Sequence, residues 1–247
     1  MQLAYADRGT YLGDPDFVEV PVAGLIDPEY LAQRSGLIDP KAARTDYPAG
    51  TPKNANAWRF AEPEVEEGTT HFTVVDLAGN VVSMTSTIEG PFGSQLIAGG
   101  FFLNNELTDF AFAPTDDAGG AVANAVAGGK RPLSSMSPTI VYDANGDPIL
   151  ALGSAGGKRI IMHVAKTLVG VLDFGLPLDQ AIALPNIYFG NGSLLIEKGS
   201  ALEAMQGPLS AFGQPVVATD LPSKINGAQW HRTTGWTGAA DPRSLGN

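Results

Sequence analysis

The sequence contains no cysteine, which excludes disulfides, thiolate catalysis and cysteine-ligated zinc. Basic residues are scarce. Fifteen Lys and Arg stand against 26 Asp and Glu, for a formal net charge of −11, so no basic face is expected to hold nucleic acid. The three histidines, His71, His163 and His231, lie far apart and outside any H-E-x-x-H pattern. No metal site is expected from them; each reads as a surface or packing residue. A G-x-S-x-G elbow is also missing, which argues against a Ser-His-Asp hydrolase. The stretch GSAGGKR fails the spacing of a phosphate loop, and Arg159 stands where a magnesium-binding hydroxyl belongs. No apolar run approaches the roughly 18 residues of a membrane span. The opening MQLAYADRG lacks the basic-then-apolar pattern of an export signal. No cofactor is called for, and the absence of cysteine fits cytosol and periplasm alike.

What is present is a globular composition. With 247 residues and 44% hydrophobic content, the chain can bury one substantial core, as one large domain or two small ones. The pattern changes near residue 68. Before it, Asp27 as N-cap and Pro28 at the first helical position predict a helix, with Tyr30, Leu31 and Leu37 as its apolar contacts. Residues 39–68 lose all periodicity, carry Pro40, Pro48, Pro52 and Pro63, and end in Glu62, Glu64, Glu66 and Glu67. That composition predicts an exposed, mobile linker.

From Thr69 the period becomes two. HFTVVD and VVSMTSTI flank a turn at Leu77-Ala78-Gly79-Asn80 and predict a hairpin; SPTIVYD and PILALGSA predict a second, with both strands buried on two faces. Ile160, Ile161, Val164, Leu168 and Val171 then recur at helical spacing before Gly175, and a shorter helix is expected at Pro177 to Ala183. Strands followed by helices predict a layered α/β sandwich. AGGKR occurs at 127–131 and again at 155–159, but the flanks differ and no structural repeat follows.

Chemistry concentrates at the boundary, in EEGTTHF at 66–72. A threonine hydroxyl is a weak nucleophile without a base, and a chain cut before it supplies one, its own α-amine, with a pKa near 7.7–8.0. That solution requires a flexible scissile bond followed by a strand, and Gly68–Thr69 meets both conditions; a threonine that merely starts a strand is the plainer reading. GSAGG ends a strand and opens a helix, which points the N–H groups of Gly156 and Gly157 at an anion, as in an oxyanion hole, or makes an ordinary glycine turn. Ser134 and Ser135 can donate to a carboxylate or simply lead into a strand. Glu106 and Asp109, three apart, share one face of a helical turn and can hold an ammonium group, or form a solvated acidic turn.

These segments, in this order, resemble the γ-glutamyltranspeptidase family of N-terminal nucleophile hydrolases. The matching stretches are TTHFTVVD, MTSTI, GPFGS, LNNELTDF, KRPLSSMSPTIV, GSAGGKRI and a closing ADPRS, and they cover nearly the whole sequence. ADRGTYLGDPDFVEVP resembles the end of that family's large subunit. The resemblance implies a four-layer αββα sandwich, incomplete without the upstream large-subunit region. It implies residues 1–68 as the large-subunit-like part and 69–247 as the small-subunit-like catalytic domain. Thr69 is then the nucleophile freed by autocatalytic cleavage of Gly68–Thr69, and Thr87 orients it. Gly156 and Gly157 form the oxyanion hole. Ser134 and Ser135 hold the substrate α-carboxylate, and Glu89, Glu106 and Asp109 lie at its α-ammonium. The implied substrates are a γ-glutamyl compound such as glutathione and water or an amino acceptor. The implied partner is the missing large-subunit region, in a heterodimer formed by processing. By resemblance the setting is periplasmic or extracellular, with a cytoplasmic one left open.

Three departures qualify that pattern. Glu89 stands where typical members are expected to carry Asn, a variant associated with acylases of the family. The segment 111–122 is short and lacks a lid tyrosine, which implies a more open pocket suited to larger or peptidic substrates. The upstream region, with an arginine for the α-carboxylate, is missing, so one face of the sandwich is expected to be bare apolar surface and the polypeptide alone inactive or unstable. A cephalosporin acylase-like amidase, and an unprocessed, inactive fragment acting as a partner-binding domain, remain the alternatives.

Overall fold

The computed structural model describes residues 1–44, 46–60 and 68–244. Helix α1 (Gln2–Tyr11), the short α2 (Val22–Leu25) and α3 (Pro28–Ser35) precede the strands. Asp27 caps α3 as the sequence predicts, its side chain accepting the N–H groups of Glu29 and Tyr30. Tyr30 is buried, but Leu31 and Leu37 are exposed, which corrects the expected contact face. The helix is held by polar groups instead. Asp7 accepts from Arg34 Nη2 at 3.0 Å, from Tyr30 Oη at 2.9 Å and from the Gly50 N–H at 2.8 Å.

That last bond also ties the largely exposed linker to α1. Residues 46–60 have no helix or strand, yet Pro52 is fully buried, Tyr11 Oη donates to Gly50 O, and Arg59 forms a bridge with Val122. The segment lacks periodicity because its backbone bonds run to side chains of α1 and α3 rather than along a helix or strand. Glu62, Glu64, Glu66 and Glu67 lie outside the described residues.

Strands β1 (Thr69–Val75) and β2 (Val81–Thr87) form the first hairpin. Asp76 closes its turn by accepting from Ala78 and Asn80. Strands β3 (Ile97–Ala98) and β4 (Phe101–Phe102) make a small exposed ribbon. The second predicted hairpin is β5 (Thr139–Tyr142) and β6 (Pro148–Gly153), and the predicted helices are α4 (Ile160–Leu172) and α5 (Leu178–Ala183). Strands β7 (Ile187–Gly190), β8 (Ser193–Glu197) and β9 (Val216–Thr219) form a three-stranded sheet beside α6 (Gln206–Ser210). The closing strands β10 (Asn226–His231) and β11 (Gly235–Ala240) complete a four-stranded sheet in the order β11-β10-β6-β5. Of the second hairpin only β6 is deeply buried; β5 is an edge strand and half-exposed, contrary to the expectation for both.

Alternation along β6 builds the layers. Leu150 and Leu152 join Ile160, Val164, Leu178, Ile182 and Ile225 in the main core beneath α4 and α5. Each such side chain contributes about 1.5–3 kcal/mol of burial. Ala151 and Gly153 alternate with them, and Gly153 lies against the His71 ring of the first hairpin. The hairpin is fastened there by Ser83 Oγ to Leu152 O and by Asn226 Nδ2 to His71 O. Its own polarity is inverted. Thr69 and His71 are buried, while Phe72, Val74, Val82 and Met84 are 43–51% exposed. Helices, four-stranded sheet and hairpin thus make three layers, and the hairpin's outer apolar face is left uncovered by the described residues.

Candidate active site

The hairpin base sets Thr69 opposite Thr87. Thr69 is 3% exposed, and its Oγ1 donates to Thr87 Oγ1 at 3.2 Å. Thr87 Oγ1 also accepts the Glu89 N–H at 2.9 Å. Both acceptor positions of that hydroxyl are therefore filled, which fixes its rotamer. Glu89 has φ 68°, a left-handed backbone that costs a non-glycine residue about 1 kcal/mol or more. From it the Glu89 carbonyl accepts the Gly68 N–H, and its carboxylate accepts from Asn105 Nδ2. Gly68 is glycine for space, since a Cβ there would come within 2.6 Å of the Gly90 carbonyl carbon.

Asn105 continues the chain of bonds. Its Oδ1 accepts the Gly90 N–H at 2.9 Å, and it opens the 3-10 turn Glu106–Asp109. The two acids of that turn share a face, as their spacing predicts, and hydrogen-bond one another. Burial first, then the bond to Glu106 and the charges of Glu106 and Glu89, push the Asp109 carboxyl up to about 7, against a smaller opposing effect of Arg8. Asn124 ties this turn to the serine pair: its Nδ2 donates to Asp109 O at 2.7 Å and its Oδ1 accepts the Leu133 N–H at 3.0 Å. The pair itself is split. Ser134 is exposed and its Oγ accepts the Met136 N–H, whereas Ser135 is buried and its Oγ accepts from Arg8 Nη2 at 2.8 Å.

Gly156 and Gly157 follow β6 with φ 127° and 59°, conformations a Cβ disfavours. The helical run begins at Gly157, so the N–H groups opening it have no intrahelical acceptor and form the positive end of the helix dipole. Beneath the turn, His163 Nδ1 lies 3.1 Å from Ser154 Oγ; burial foremost pushes this imidazole down to about 4 and keeps it neutral. No hydrogen bond among the described residues joins Thr69 directly to the serines or to this turn. The link is His71, two residues after Thr69, packed on Gly153, three residues before Gly156. A cleft of about 840 Å³ opens beside the turn, with Tyr5, Arg8, Gly156, Arg159 and Tyr188 in its walls.

A sequence profile described as Gamma-glutamyltranspeptidase matches residues 1–247. The chain belongs to the γ-glutamyltranspeptidase family. It is 45% identical over 197 residues to a glutathione hydrolase proenzyme of Bacillus subtilis, covering 76% of this chain and 32% of that protein. It is 38% identical over 250 residues to the Escherichia coli glutathione hydrolase proenzyme, covering 98% of this chain and 42% of that protein. A γ-glutamyltranspeptidase structure from Helicobacter pylori superposes with a TM-score of 0.64 at 36% identity, over 71% of this chain and 100% of that one. The chain therefore spans about a third to two fifths of the curated relatives it matches. Its fold is the α/β sandwich of N-terminal nucleophile hydrolases, as expected, in partial form.

Within this γ-glutamyltranspeptidase family chain, sequence reasoning did not single out Asn105, Asn124 or Arg8. Asn105 was visible as the neighbour of Glu106 in LNNELTDF. Asn124 and Arg8 had no local signal, because Asn124 spans from residue 109 to residue 133 and Arg8 bonds a serine 127 positions away. Among the described residues, no helix is long and apolar enough to cross a membrane.

Proposed function

We propose that this chain supplies the nucleophilic centre of a γ-glutamyl amidase and transpeptidase, with Thr69 as the attacking residue. The observation that carries the proposal is the Thr69–Thr87 hydrogen bond at the hairpin base, directly after Gly68 and linked through Glu89 and Asn105 to the acidic turn. In processing, Thr69 Oγ1 attacks the Gly68 carbonyl carbon; the resulting ester is hydrolysed, leaving a Gly68 carboxylate and a free Thr69 amine. In turnover, Thr69 Oγ1 attacks the γ-carbonyl of the substrate and its proton passes to the α-amine. The C–N bond then breaks as that proton moves to the departing amine. Gly156 and Gly157 donate to the tetrahedral oxyanion. Ser134 and Ser135 hold the α-carboxylate, while Glu89, Glu106 and Asp109 hold the α-ammonium. Water or an amino acceptor then takes the acyl group from Thr69. Glutathione-like amides are the substrate class.

The working unit is a heterodimer that includes the upstream region absent from this chain. Two observations support it: the bare apolar face of the hairpin, and the share of the chain spanned by the Helicobacter pylori match. Residues 69–247 are 179 of 247, or about 72%, close to the 71% matched over all of that chain. Intact-mass measurement tests the proposal, with fragments 1–68 and 69–247 expected and Thr69→Ala expected to stay uncut. An uncut wild-type chain in the presence of its upstream region would overturn it. A second reading has support from a Pseudomonas protein named Acylase ACY 1 proenzyme, 33% identical over all of this chain. Competition between γ-glutamyl and glutaryl anilides separates the two, because only the first carries the ammonium that the acids are assigned to hold.

A further inference from the structure

Ser135 is 1% exposed, yet its hydroxyl is only half used. Its oxygen accepts from Arg8 Nη2 at 2.8 Å, and its own proton goes to none of the described residues. A hydroxyl has one proton to give, and a cationic donor lodged on its oxygen turns that proton away from itself. A buried hydroxyl left with an unspent donor is costly unless something arrives to accept it. Arg8 comes from α1, on the opposite side of the residue 68 boundary, and is itself buried, with part of its surface in the cleft wall. It also lies close enough to the acidic turn to act on Asp109 against Glu106 and Glu89.

We propose that Arg8 is a positioning and specificity-determining residue, which holds the Ser135 hydroxyl as an outward donor and makes the site select ligands bearing a carboxylate next to their ammonium group. The inference rests on the proposed assignment of Ser135 to the substrate carboxylate and deepens it. The cation orients the serine and supplies positive charge on that side, while the acids supply negative charge on the other. The pair of fields matches an α-amino acid head group and mismatches an amine that lacks the carboxylate. A side chain in the N-terminal segment thereby sets the selectivity of a site whose other members all follow residue 68.

The test uses this chain together with its upstream region and two small probes, L-glutamate and 4-aminobutyrate, which share an ammonium and a distal carboxylate and differ in the α-carboxylate. Affinities are measured by titration calorimetry for wild type, Arg8→Gln, Arg8→Lys and Ser135→Ala, with thermal melts to confirm folding. Wild type is expected to prefer L-glutamate. Arg8→Gln is expected to weaken L-glutamate about tenfold and leave 4-aminobutyrate within about twofold, as loss of one charge-assisted contact predicts. Arg8→Lys should recover part of the preference, and Ser135→Ala should lose it as Arg8→Gln does. Equal weakening of both probes by Arg8→Gln would make Arg8 a packing residue and overturn the inference. Retention of the full preference by Arg8→Gln would overturn it as well. A wild-type chain that does not prefer L-glutamate would overturn the carboxylate assignment of the serines, a result distinguishable because it appears before any variant is made.

Discussion

Gly153→Ala adds one methyl group at the point where the first hairpin rests on β6. An alanine Cβ there would lie 2.8 Å from His71 Cγ, with Cε1 and Nδ1 closer still. Ordinary carbon contacts are about 3.5–4.0 Å, so the ring or the strand must move by about 1 Å. The ring has little freedom, because Nδ1 and Nε2 are held by Thr85 and Thr73 at 2.8 and 3.2 Å. The displacement therefore passes to β1, whose first residue is Thr69, two positions away. Overpacking of this kind costs about 1–3 kcal/mol, or about 2–12 °C in melting temperature for a chain of this size. A misplacement of about 1 Å at a reacting group costs about 100-fold in rate, so self-cleavage should slow far more than stability alone predicts. The assay is paired: a thermal melt, and intact mass against time with the upstream region supplied. His71→Ala in the same chain removes the obstructing ring, and the double variant should be less destabilised than the two single effects added together, by at least about 0.5 kcal/mol. Additive effects, or a Gly153→Ala chain that melts and cleaves like wild type, would refute the seating of Thr69 through His71.

Two further predictions concern pH. The folded-state carboxyl of Asp109 is raised, so between about 4 and 7 the folded chain binds a proton that the unfolded chain has released, and this group's contribution to stability falls as pH rises. Asp109→Asn should thus melt higher than wild type at pH 8, by a margin that shrinks at pH 5, while ammonium-bearing ligands lose affinity; a constant margin would count against the buried carboxyl. His71 and His163 shift the other way, both pushed down to about 4 chiefly by burial. From about 6.5 down to 4 the unfolded chain takes up protons that the folded chain refuses, so stability is lost as pH falls across that window. His163→Gln should flatten the loss of urea midpoint between pH 7 and pH 5, and an unchanged slope would argue that His163 is charged in the fold.

Local periodicity carried the parts of the fold that packing did not overrule. The first hairpin was legible because its residues alternate and Asp76 to Asn80 is a turn sequence; α4 was legible because five apolar residues recur on one face. Residues 46–60 are largely exposed, as their composition predicts, but their ties to α1 and α3 were not legible, because backbone hydrogen bonds and one buried proline leave no period in the sequence. Leu31 and Leu37 were misplaced because α3 is held by the Asp7–Arg34–Tyr30 network, which no apolar stripe announces. In the candidate site, the acid pair was legible from its spacing of three. The split between Ser134 and Ser135 was not, since adjacent residues in an extended lead-in face opposite ways and sequence does not say which faces inward.

The inverted hairpin joins these observations to the proposed chemistry. An ordinary two-stranded ribbon on a sheet would turn Phe72, Val74, Val82 and Met84 inward and leave its threonines in water. Here the polar row lies inward, where Thr69, His71 and Thr73 on β1 face Thr87, Thr85 and Ser83 on β2, and these four apolar residues lie outward. A shift of one residue in register would reverse the faces, satisfying the apolar side chains and exposing Thr69. The arrangement persists because side-chain bonds from Ser83 to β6 and from Asn226 to β1 fix the polar row against the sheet. The four outward apolar side chains are a liability in this chain and an asset in a larger one: covering them would add about 1.5–3 kcal/mol apiece at full burial. The proposed placement of Thr69 as nucleophile and the proposed completion of the fold by the upstream region thus depend on the same seven residue pairs, with Thr69 on one face and the outward apolar row on the other.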